Sequence, residues 1–444
     1  MTWEKLLSLK RYGDTANRKR LDQDETRIGF DVDYDRIIFS AGFRSLQDKT
    51  QVVPLSKSDF VHTRLTHSLE VSVVGRSLGR QVGKQIISKY PELDSAGYSF
   101  NDFGAIVAAA SLAHDIGNPP FGHSGEKAIG SFFERGPGKV YKSHLSPSEW
   151  QDLIDFEGNA NGLKLVVDGQ IGGPEGIRLS YATLGAFIKY PKESLPKRPT
   201  KDIVDKKYGF FQEQKLFAEE LFKDLGVGIK AQNSSRNFFR HPLAYLVEAA
   251  DDICYTIIDF EDGINLGWID EEFALEYMIQ IVKEKLDREK YWSMNQKSSR
   301  VAYLRAIAIG VLIEEAVSVF MENEESILTG NYQVGIMDKC KFQAQIGDII
   351  SISVEKIYNN SAVVEKEVAG FKVIHDLLKV CLQAVLNEED TSYKSLIFRM
   401  ITPLESISKA TTTYTKILNT CSYISSLSDG KAIELQKKIS GLEI

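Results

Sequence analysis

The sequence has few of the features that mark secreted, disulfide-bonded or membrane-spanning proteins. Its 444 residues include only four cysteines, which show no paired spacing: Cys254, Cys340, Cys381 and Cys421. Such scattered cysteines argue against a disulfide framework and against a cysteine-based zinc site. No run of about 18 apolar residues occurs, which predicts the absence of a membrane span. The N-terminal residues lack the apolar segment of a signal peptide, so we expect a cytoplasmic protein.

Two further absences restrict the ligands. The formal net charge is -7, and this acidic balance argues against a surface devoted to nucleic acid, which is at most a secondary partner. No Gly-x-x-x-x-Gly-Lys-Ser/Thr segment is present. The chain therefore lacks the phosphate-binding loop of the P-loop nucleotidases.

Helical periodicity dominates the sequence and predicts an all-α fold. Apolar residues recur at spacings of three and four over residues 65–86, which predicts one long amphipathic helix. A second helix is predicted over residues 103–112 and a third over residues 124–133, and Pro242 is typical of the first turn of another. Helical patterns also cover residues 271–325 and 349–388.

Strand signals are sparse, and only residues 51–54 and 164–167 are short candidates. Residues 189–235 are polar and contain three of the prolines, Pro191, Pro196 and Pro199. This composition predicts an elaborated loop or lid inserted between helices.

The residues that suggest chemistry are histidines and aspartates in a particular order. His67 lies on the long predicted helix, His114 is followed directly by Asp115, and Asp251 and Asp252 lie on a helix with apolar neighbours. A buried carboxylate needs a partner, and a metal ion is a common one. Two imidazoles and two carboxylates suit Mn²⁺, Fe²⁺, Ni²⁺ or Zn²⁺, whereas Mg²⁺ is less suited to nitrogen ligands. Such an ion acidifies water and polarises a phosphoryl oxygen, which suits phosphate-ester hydrolysis.

Each of these signals also has a structural interpretation. A single histidine on an amphipathic helix is usually a packing residue, and adjacent aspartates on a helix are usually solvated. The pair His375-Asp376 has no Gly-Asn turn and no partner motif, so we interpret it as structural. The ordered set of His67, His114-Asp115 and Asp251 is far more specific than any of its parts.

This ordered set resembles the HD-domain metal-dependent phosphohydrolases, and longer segments resemble the deoxyguanosine triphosphate triphosphohydrolase (dGTPase) family. The most specific segment is His-Asp-Ile-Gly-Asn-Pro-Pro-Phe-Gly-His-Ser-Gly-Glu at residues 114–126. The other matching segments are residues 43–52, 64–68, 156–159 and 240–253. The resemblance covers about residues 14–263 and weakens afterwards.

The resemblance implies an HD-domain helical fold with an additional helical C-terminal region. The expected catalytic core spans residues 1–270, with an N-terminal extension and a lid inserted around residues 190–235. Residues 271–444 would complete the pocket and provide oligomer contacts. Family members commonly form oligomers, often hexamers, sometimes with nucleotide effector sites, so a homo-oligomer and a nucleotide effector are expected here.

The resemblance also implies roles for individual residues. His67, His114, Asp115 and Asp251 would bind the metal, with Mn²⁺ or Mg²⁺ expected first, and Asp252 would either contact a ligand residue or lie at the surface. His123 and Glu126 would form an acid/base pair at the scissile phosphate. The expected substrate contacts are Arg64, Gln47, Gln51, Asn159, Lys189, Tyr190, Tyr255 and Asp259.

Helix geometry supports part of this assignment, because Asp251, Tyr255 and Asp259 are spaced four residues apart and lie along one side of a helix. Tyr255 and Asp259 would then meet the deoxyribose. A structural alternative for His123 is that it caps the helix that follows.

The implied reaction converts a deoxynucleoside triphosphate, dGTP first among them, to the deoxynucleoside and inorganic triphosphate. Two alternatives stay open at this point. One is another HD-type nucleotide phosphohydrolase or phosphodiesterase, and the other is a nucleotide-sensing protein that binds without turnover.

Overall fold

The structure is a computed structural model that describes residues 1–15, 18–24, 26–52, 61–168, 176–230, 237–387, 389 and 391–442. Over these residues the regular secondary structure is helical, and β structure is limited to isolated bridges. The predicted all-α fold is therefore confirmed. None of the described helices combines the length and apolar character needed to cross a bilayer.

The α-helices are numbered here in chain order. They are α1 Trp3–Leu6, α2 Gly29–Phe39, α3 Ala41–Arg44, α4 Arg64–Lys89, α5 Pro91–Ser95, α6 Phe100–Ala113, α7 Gly122–Glu134, α8 Pro147–Ile154, α9 Gly158–Val167, α10 Tyr181–Phe187, α11 Lys215–Asp224, α12 Pro242–Asn265, α13 Glu271–Val282, α14 Arg288–Ser293, α15 Lys297–Glu322, α16 Glu324–Leu328, α17 Gln343–Ser353, α18 Ser361–Leu386, α19 Ser392–Met400, α20 Pro403–Ser408, α21 Thr413–Ser426 and α22 Asp429–Ile439. Short 3₁₀ turns occur at Arg20–Asp22, Ser45–Asp48, Pro137–His144, Ile203–Asp205, Gln212–Gln214 and Met337–Lys339, and a π-helical turn at Val354–Tyr358.

Helices α4 and α6 pack closely because small residues lie between them. A Cβ atom on Gly79 would lie 2.6 Å from the carbonyl oxygen of Phe103, and one on Gly75 would lie 2.5 Å from Ser111 Oγ. At the N-terminus of α4, Thr63 and Thr66 form a reciprocal capping box. The cap fixes where α4 begins, and the close packing then holds the first turn of α4 beside the end of α6.

Buried apolar side chains form two clusters. The first joins α4, α6, α12, α13 and α15, and the second joins α7, α8 and the C-terminal helices α18–α22. The boundary between the two clusters runs between the end of α6 and the start of α7. The C-terminal helices thus pack directly against a helix of the predicted catalytic core.

The predicted long helix corresponds to α4, and the predicted second and third helices correspond to α6 and α7. Pro242 opens α12 as expected. The predicted strand at residues 164–167 is wrong, because these residues end α9. Leu163, Leu165 and Val166 are all buried, and a short helix that is apolar on several sides has no period that distinguishes it from a buried strand.

The other strand candidate was residues 51–54. Gln51 and Val52 form a bend, and residues 53 and 54 lie outside the described residues. The predicted loop over residues 189–235 is wrong for Lys215–Asp224, which form α11. Phe210 and Phe211 before this helix and Leu221 within it are fully buried, so much of this polar segment packs into the protein. Residues 231–235 lie outside the described residues.

One buried carboxylate joins α8 to the C-terminal helices. Asp152 is fully buried, and its Oδ2 accepts hydrogen bonds from the Tyr414 hydroxyl at 2.5 Å and the Gln212 backbone N–H at 2.8 Å. Burial raises the pKa of Asp152 to about 7 despite these donors, which favour the charged form. The carboxyl group is therefore easier to protonate in the folded protein than in the unfolded chain.

We expect this group to make stability depend on pH. The folded state binds the proton more tightly than an aspartate with the ordinary pKa of 3.8, so its contribution to stability falls as the pH rises from about 4 to about 7. Asp152→Asn imitates the protonated form and removes this loss. The difference in melting temperature, variant minus wild type, should be at least about 2 °C larger at pH 8 than at pH 5. A difference that stays constant with pH would contradict the assignment.

Candidate metal centre and active site

Four side chains from three helical segments converge at the boundary between the two clusters. His67 lies in the first turn of α4, His114 and Asp115 follow α6, and Asp251 lies on α12. Potential ligand atoms of His67, His114 and Asp115 all lie within 4.8 Å of one another. Asp251 Oδ1 lies 3.1 Å from His67 Nε2 and 3.5 Å from His114 Nε2.

The hydrogen bonds of the two imidazoles fit a metal site. His114 Nδ1 lies 2.7 Å from the Ser111 carbonyl oxygen. A carbonyl can only accept, so Nδ1 carries the hydrogen and the neutral ring presents its Nε2 lone pair to the cluster. His67 is buried, and its Nδ1 has no hydrogen-bond partner among the described residues. His67, His114, Asp115 and Asp251 together supply two imidazoles and two carboxylates, a set of ligands that suits a divalent metal ion.

The charges around the two aspartates keep both in the ionised form that metal binding requires. Burial alone would raise the pKa of Asp115, but the charge of Arg64 opposes burial and lowers that pKa. Burial opposes ionisation of Asp251 as well, yet the charge of Lys189 favours the carboxylate, and the pKa of Asp251 lies well below the ordinary value.

Two cations are bound directly to these aspartates. Arg64 donates to Asp115 Oδ2 at 2.7 Å, and Lys189 Nζ lies 2.6 Å from Asp251 Oδ2. The position of Lys189 is set in turn by Arg240, whose Nε donates to the Lys189 carbonyl oxygen at 2.6 Å. Both cations also line a cavity beside the four side chains, so they place positive charge where an anion could bind.

A cavity of about 540 Å³ opens beside His67, His114, Asp115 and Asp251. Twelve of the fourteen residues predicted to form the site line it: Gln51, Arg64, His67, His114, Asp115, His123, Asn159, Lys189, Tyr190, Asp251, Tyr255 and Asp259. Of the other two, Glu126 lies behind His123, whereas Gln47 is exposed and does not line the cavity.

His123 and Glu126 form a hydrogen-bonded pair at the start of α7. His123 Nδ1 lies 2.7 Å from Glu126 Oε2, and Glu126 Oε1 accepts from the Gly158 backbone N–H at 2.8 Å. Burial would raise the pKa of Glu126, but the hydrogen bond from His123 and the charge of Lys207 lower it. An ionised carboxylate only accepts, so it fixes the hydrogen on Nδ1 and leaves His123 Nε2 for another partner.

His123 does not cap the following helix, so this alternative is wrong. It lies within α7, where Phe121 occupies the N-cap position and makes no side-chain capping bond. The His123 side chain is 73% exposed, compared with 11% for Glu126. A largely exposed imidazole held by a covered carboxylate is suited to proton transfer with a bound ligand.

Known proteins are similar to this chain both in the segment that carries the site and over its full length. The HD domain family model matches residues 64–149, which include His67, His114 and His123. The deoxyguanosinetriphosphate triphosphohydrolase-like protein of Synechocystis sp. is 38% identical, with 100% of each chain covered. The chain belongs to the deoxyguanosinetriphosphate triphosphohydrolase family. A like-named protein of Pseudomonas aeruginosa is 35% identical over 99% of each chain. The deoxyguanosinetriphosphate triphosphohydrolase of Yersinia pseudotuberculosis is 30% identical over 85% of this chain and 80% of its own.

For this family member, the structure adds cavity residues that the sequence analysis missed. Tyr358, from the π-helical turn, stacks parallel to Tyr255 with ring centroids 5.7 Å apart, and its hydroxyl donates to Asp259 Oδ2 at 2.8 Å. Burial raises the pKa of Asp259 to about 7, against the influence of His67 and Tyr358. Further lining residues are Thr50, Val52, Asn118, Phe121, Gly122, Lys206, Lys207, Asp252, Val363 and Glu367.

The sequence held little signal for most of these residues. Tyr358 contacts Asp259 across 99 residues of chain, and no motif surrounds it. Lys207 belongs to the polar segment that was predicted to be a lid. The signal that could have found it is the uneven distribution of lysines there, since an anionic ligand needs cations nearby.

The remaining predicted residues have structural partners that limit what they can do. The Asn159 amide donates to Glu157 Oε1 at 2.7 Å, which fixes its orientation at the cavity wall. His375 Nε2 lies 2.9 Å from Ser131 Oγ and 3.0 Å from the Ala128 carbonyl oxygen. These bonds join α18 to α7 and agree with the structural interpretation of His375.

Proposed function

We propose that the protein hydrolyses deoxynucleoside triphosphates, dGTP first among them, to the deoxynucleoside and inorganic triphosphate. The observation that carries the proposal is the convergence of His67, His114, Asp115 and Asp251 on a cavity that also holds His123. The full-length similarity to proteins named for dGTP triphosphohydrolysis supports the choice of substrate.

A divalent metal ion would be held by the two imidazoles and the carboxylates of Asp115 and Asp251. We propose Mn²⁺ or Mg²⁺, and the nitrogen ligands also accept Fe²⁺, Ni²⁺ or Zn²⁺. When bound, the ion would supply Lewis-acid polarisation of a phosphoryl oxygen and lower the pKa of water. Arg64 and Lys189 hold the ligand carboxylates in place through direct ion pairs.

His123 would act as the general acid. A water molecule would attack the α-phosphorus as the bond between that phosphorus and the 5′-oxygen breaks, and His123 Nε2 would donate a proton to the departing 5′-oxygen. Glu126 keeps the imidazole in the required orientation and stabilises its positive charge. Because the 5′-oxygen leaves with the nucleoside, the three phosphates would leave together.

Charge and shape within the cavity support a deoxynucleoside triphosphate. Lys189, Lys206 and Lys207 face the cavity and would neutralise the triphosphate. Tyr255 would lie against the deoxyribose and leave no room for a 2′-hydroxyl group, and Asp259 would accept a hydrogen bond from the 3′-hydroxyl. Gln51, Asn159, Tyr190 and Arg64 are the other proposed contacts, whereas Gln47 does not line the cavity and is not among them.

The product distribution tests this proposal. Purified protein with Mn²⁺ or Mg²⁺ should convert dGTP to deoxyguanosine and triphosphate, and should hydrolyse GTP at least about tenfold more slowly because of the 2′-hydroxyl. In ¹⁸O-labelled water, the label should enter triphosphate and be absent from deoxyguanosine. Chromatography of all four dNTPs, singly and mixed, measures base preference and any need for an effector.

Other outcomes would favour the alternatives. Release of phosphate or pyrophosphate would indicate another HD-type nucleotide phosphohydrolase. Binding without turnover, both with single dNTPs and with mixtures, would indicate a nucleotide sensor.

We also propose a homo-oligomer, with a hexamer as one candidate, and a nucleotide effector. Large exposed apolar side chains such as Phe39, Leu216 and Trp292 support subunit contacts. A cytoplasmic location and the division at residue 270 stay predictions.

A further inference from the structure

A buried carboxylate on α22 reaches back to the cavity wall. Asp429 Oδ1 accepts a hydrogen bond from the Phe121 backbone N–H at 3.0 Å. Its Oδ2 accepts from the Thr50 backbone N–H at 3.1 Å and from the Thr50 hydroxyl. Thr50 and Phe121 both line the cavity, whereas Asp429 itself does not. One side chain of the C-terminal region therefore holds two separate parts of the wall.

A second buried link runs beside the first. Lys49 is 1% exposed, and its Nζ donates to the carbonyl oxygens of Asn118 at 2.7 Å and Ser425 at 2.6 Å. The same three segments are thus joined twice, once through the Lys49 amine and once through the Asp429 carboxylate. Such double attachment favours one fixed arrangement of the turn that leads into α7.

That turn contains a backbone conformation that needs support. Phe121 has φ 63° and ψ 19°, in the left-handed region that non-glycine residues usually avoid. A bulky residue stays there only where its surroundings hold it. Phe121 and Gly122 directly precede His123, so their backbone angles decide where the His123 imidazole lies.

The ring of Phe121 is held from the other side by α18. A Cβ atom on Gly370 would lie 2.6 Å from Phe121 Cγ. Only glycine at this position lets the ring lie where it does, since any side chain would have to displace it. Phe121 is therefore fixed at its backbone by Asp429 and at its ring by the surface of α18.

We propose that Asp429 is a positioning residue for the hydrolysis reaction, and that it sets the position of His123 by holding Phe121 in the left-handed conformation. The inference rests on the proposed role of His123 as the general acid. Asp429 touches neither substrate nor metal and acts through the turn. A displacement of about 1 Å at a catalytic group slows a reaction by as much as about 10²-fold, so the position of this turn matters for catalysis.

Two substitutions disturb Phe121 from opposite sides. Asp429→Asn replaces one of the two acceptor oxygens with an NH₂ group, so the side chain can no longer accept from both backbone N–H groups. Gly370→Ala displaces the Phe121 ring. Each should lower kcat for dGTP by roughly 10- to 100-fold. KM should change less than about threefold and bound metal should be unchanged, because the metal ligands lie on α4, on α12 and directly after α6, and none of them contacts Asp429 or Gly370. Steady-state kinetics and metal analysis of the purified proteins measure both quantities.

Matched controls separate positioning from loss of helix stability. Ser428 caps α22 by accepting from the Lys431 backbone N–H, so Ser428→Ala weakens the same helix without touching Phe121. Gly347 on α17 has no atom within 4 Å of an added Cβ, so Gly347→Ala controls for the introduction of alanine. Both controls should keep kcat within about twofold of wild type.

A double-mutant cycle decides whether Asp429 acts through His123. If it does, Asp429→Asn combined with His123→Ala should be no slower than His123→Ala alone. Rate losses that multiply would overturn the inference, and so would an Asp429→Asn enzyme with wild-type kcat. Should Asp429→Asn fail to fold, Gly370→Ala in the same cycle gives the decision. A wild-type protein that turns over no dNTP would instead reject the proposed function.

Discussion

Asp251→Asn is expected to remove bound metal and turnover together while the protein stays folded. The amide keeps the size of the side chain and an oxygen for Lys189, but it lacks the charge that offsets a divalent ion between two imidazoles. Metal content should fall from about one ion per chain to less than about a tenth, and dGTP hydrolysis by at least about 10³-fold. Elemental analysis after gel filtration, with circular dichroism for folding, measures both effects.

The neighbouring aspartate provides a matched control for this experiment. Asp252 lies on the same turn of α12 and faces the cavity, but no described contact joins it to His67 or His114. Asp252→Asn should therefore retain the metal. If Asp251→Asn kept its full metal content, or if both variants lost it equally, the assignment of Asp251 as a ligand would be wrong.

His123→Ala is expected to slow dGTP hydrolysis by roughly 10²- to 10⁴-fold, the usual range for the loss of general acid catalysis. Metal content and KM should stay close to wild type, because the imidazole is not part of the ligand cluster and its closest partner is Glu126. The pH dependence of kcat should also lose the limb that reports protonation of the acid. A loss below tenfold would remove His123 from the proposed role.

A histidine of α18 that packs against α7 separates chemistry from packing. His375 bonds to Ser131 and to the Ala128 carbonyl on α7, so His375→Ala disturbs the helix that carries His123 without entering the cavity. We expect kcat within about threefold of wild type for this variant. Equal losses for both histidines would mean that disturbance of α7, and not proton transfer, explains the His123 result.

Local patterns in the sequence were enough to predict helices α4, α6 and α7, whereas the predicted substrate contacts in the cavity came from the resemblance to the family. The spacing of apolar residues depends only on neighbours within a few turns, so α4, α6 and α7 were found close to their observed bounds. The His-Asp segment and Asp251 were found because metal ligands need particular residue types in a particular order. These signals survive without knowledge of the rest of the fold.

The parts that were missed depend on contacts between distant segments. Tyr358 and Asp429 lie beyond residues 14–263, in which the motifs of the family were found from the sequence, and each acquires its place only when the C-terminal helices pack against the core. The left-handed backbone of Phe121 could not be predicted, because phenylalanine disfavours it and the groups that hold it lie on α18 and α22. Residues 164–167 failed for the opposite reason, since their apolar run suits a buried helix and a buried strand equally well.

The order of protein synthesis gives these distant contacts a further consequence. Asp429 follows Phe121 by 308 residues, and Ser425 follows Lys49 by 376. At about 5–20 residues per second, roughly 15–60 s pass on the ribosome between synthesis of Phe121 and of Asp429. From the synthesis of Asp251 onwards, the nascent chain has all four metal-binding residues but still lacks the carboxylate that holds the turn before His123. Nascent chains are therefore expected to hydrolyse little nucleotide until α22 has been synthesised and has docked.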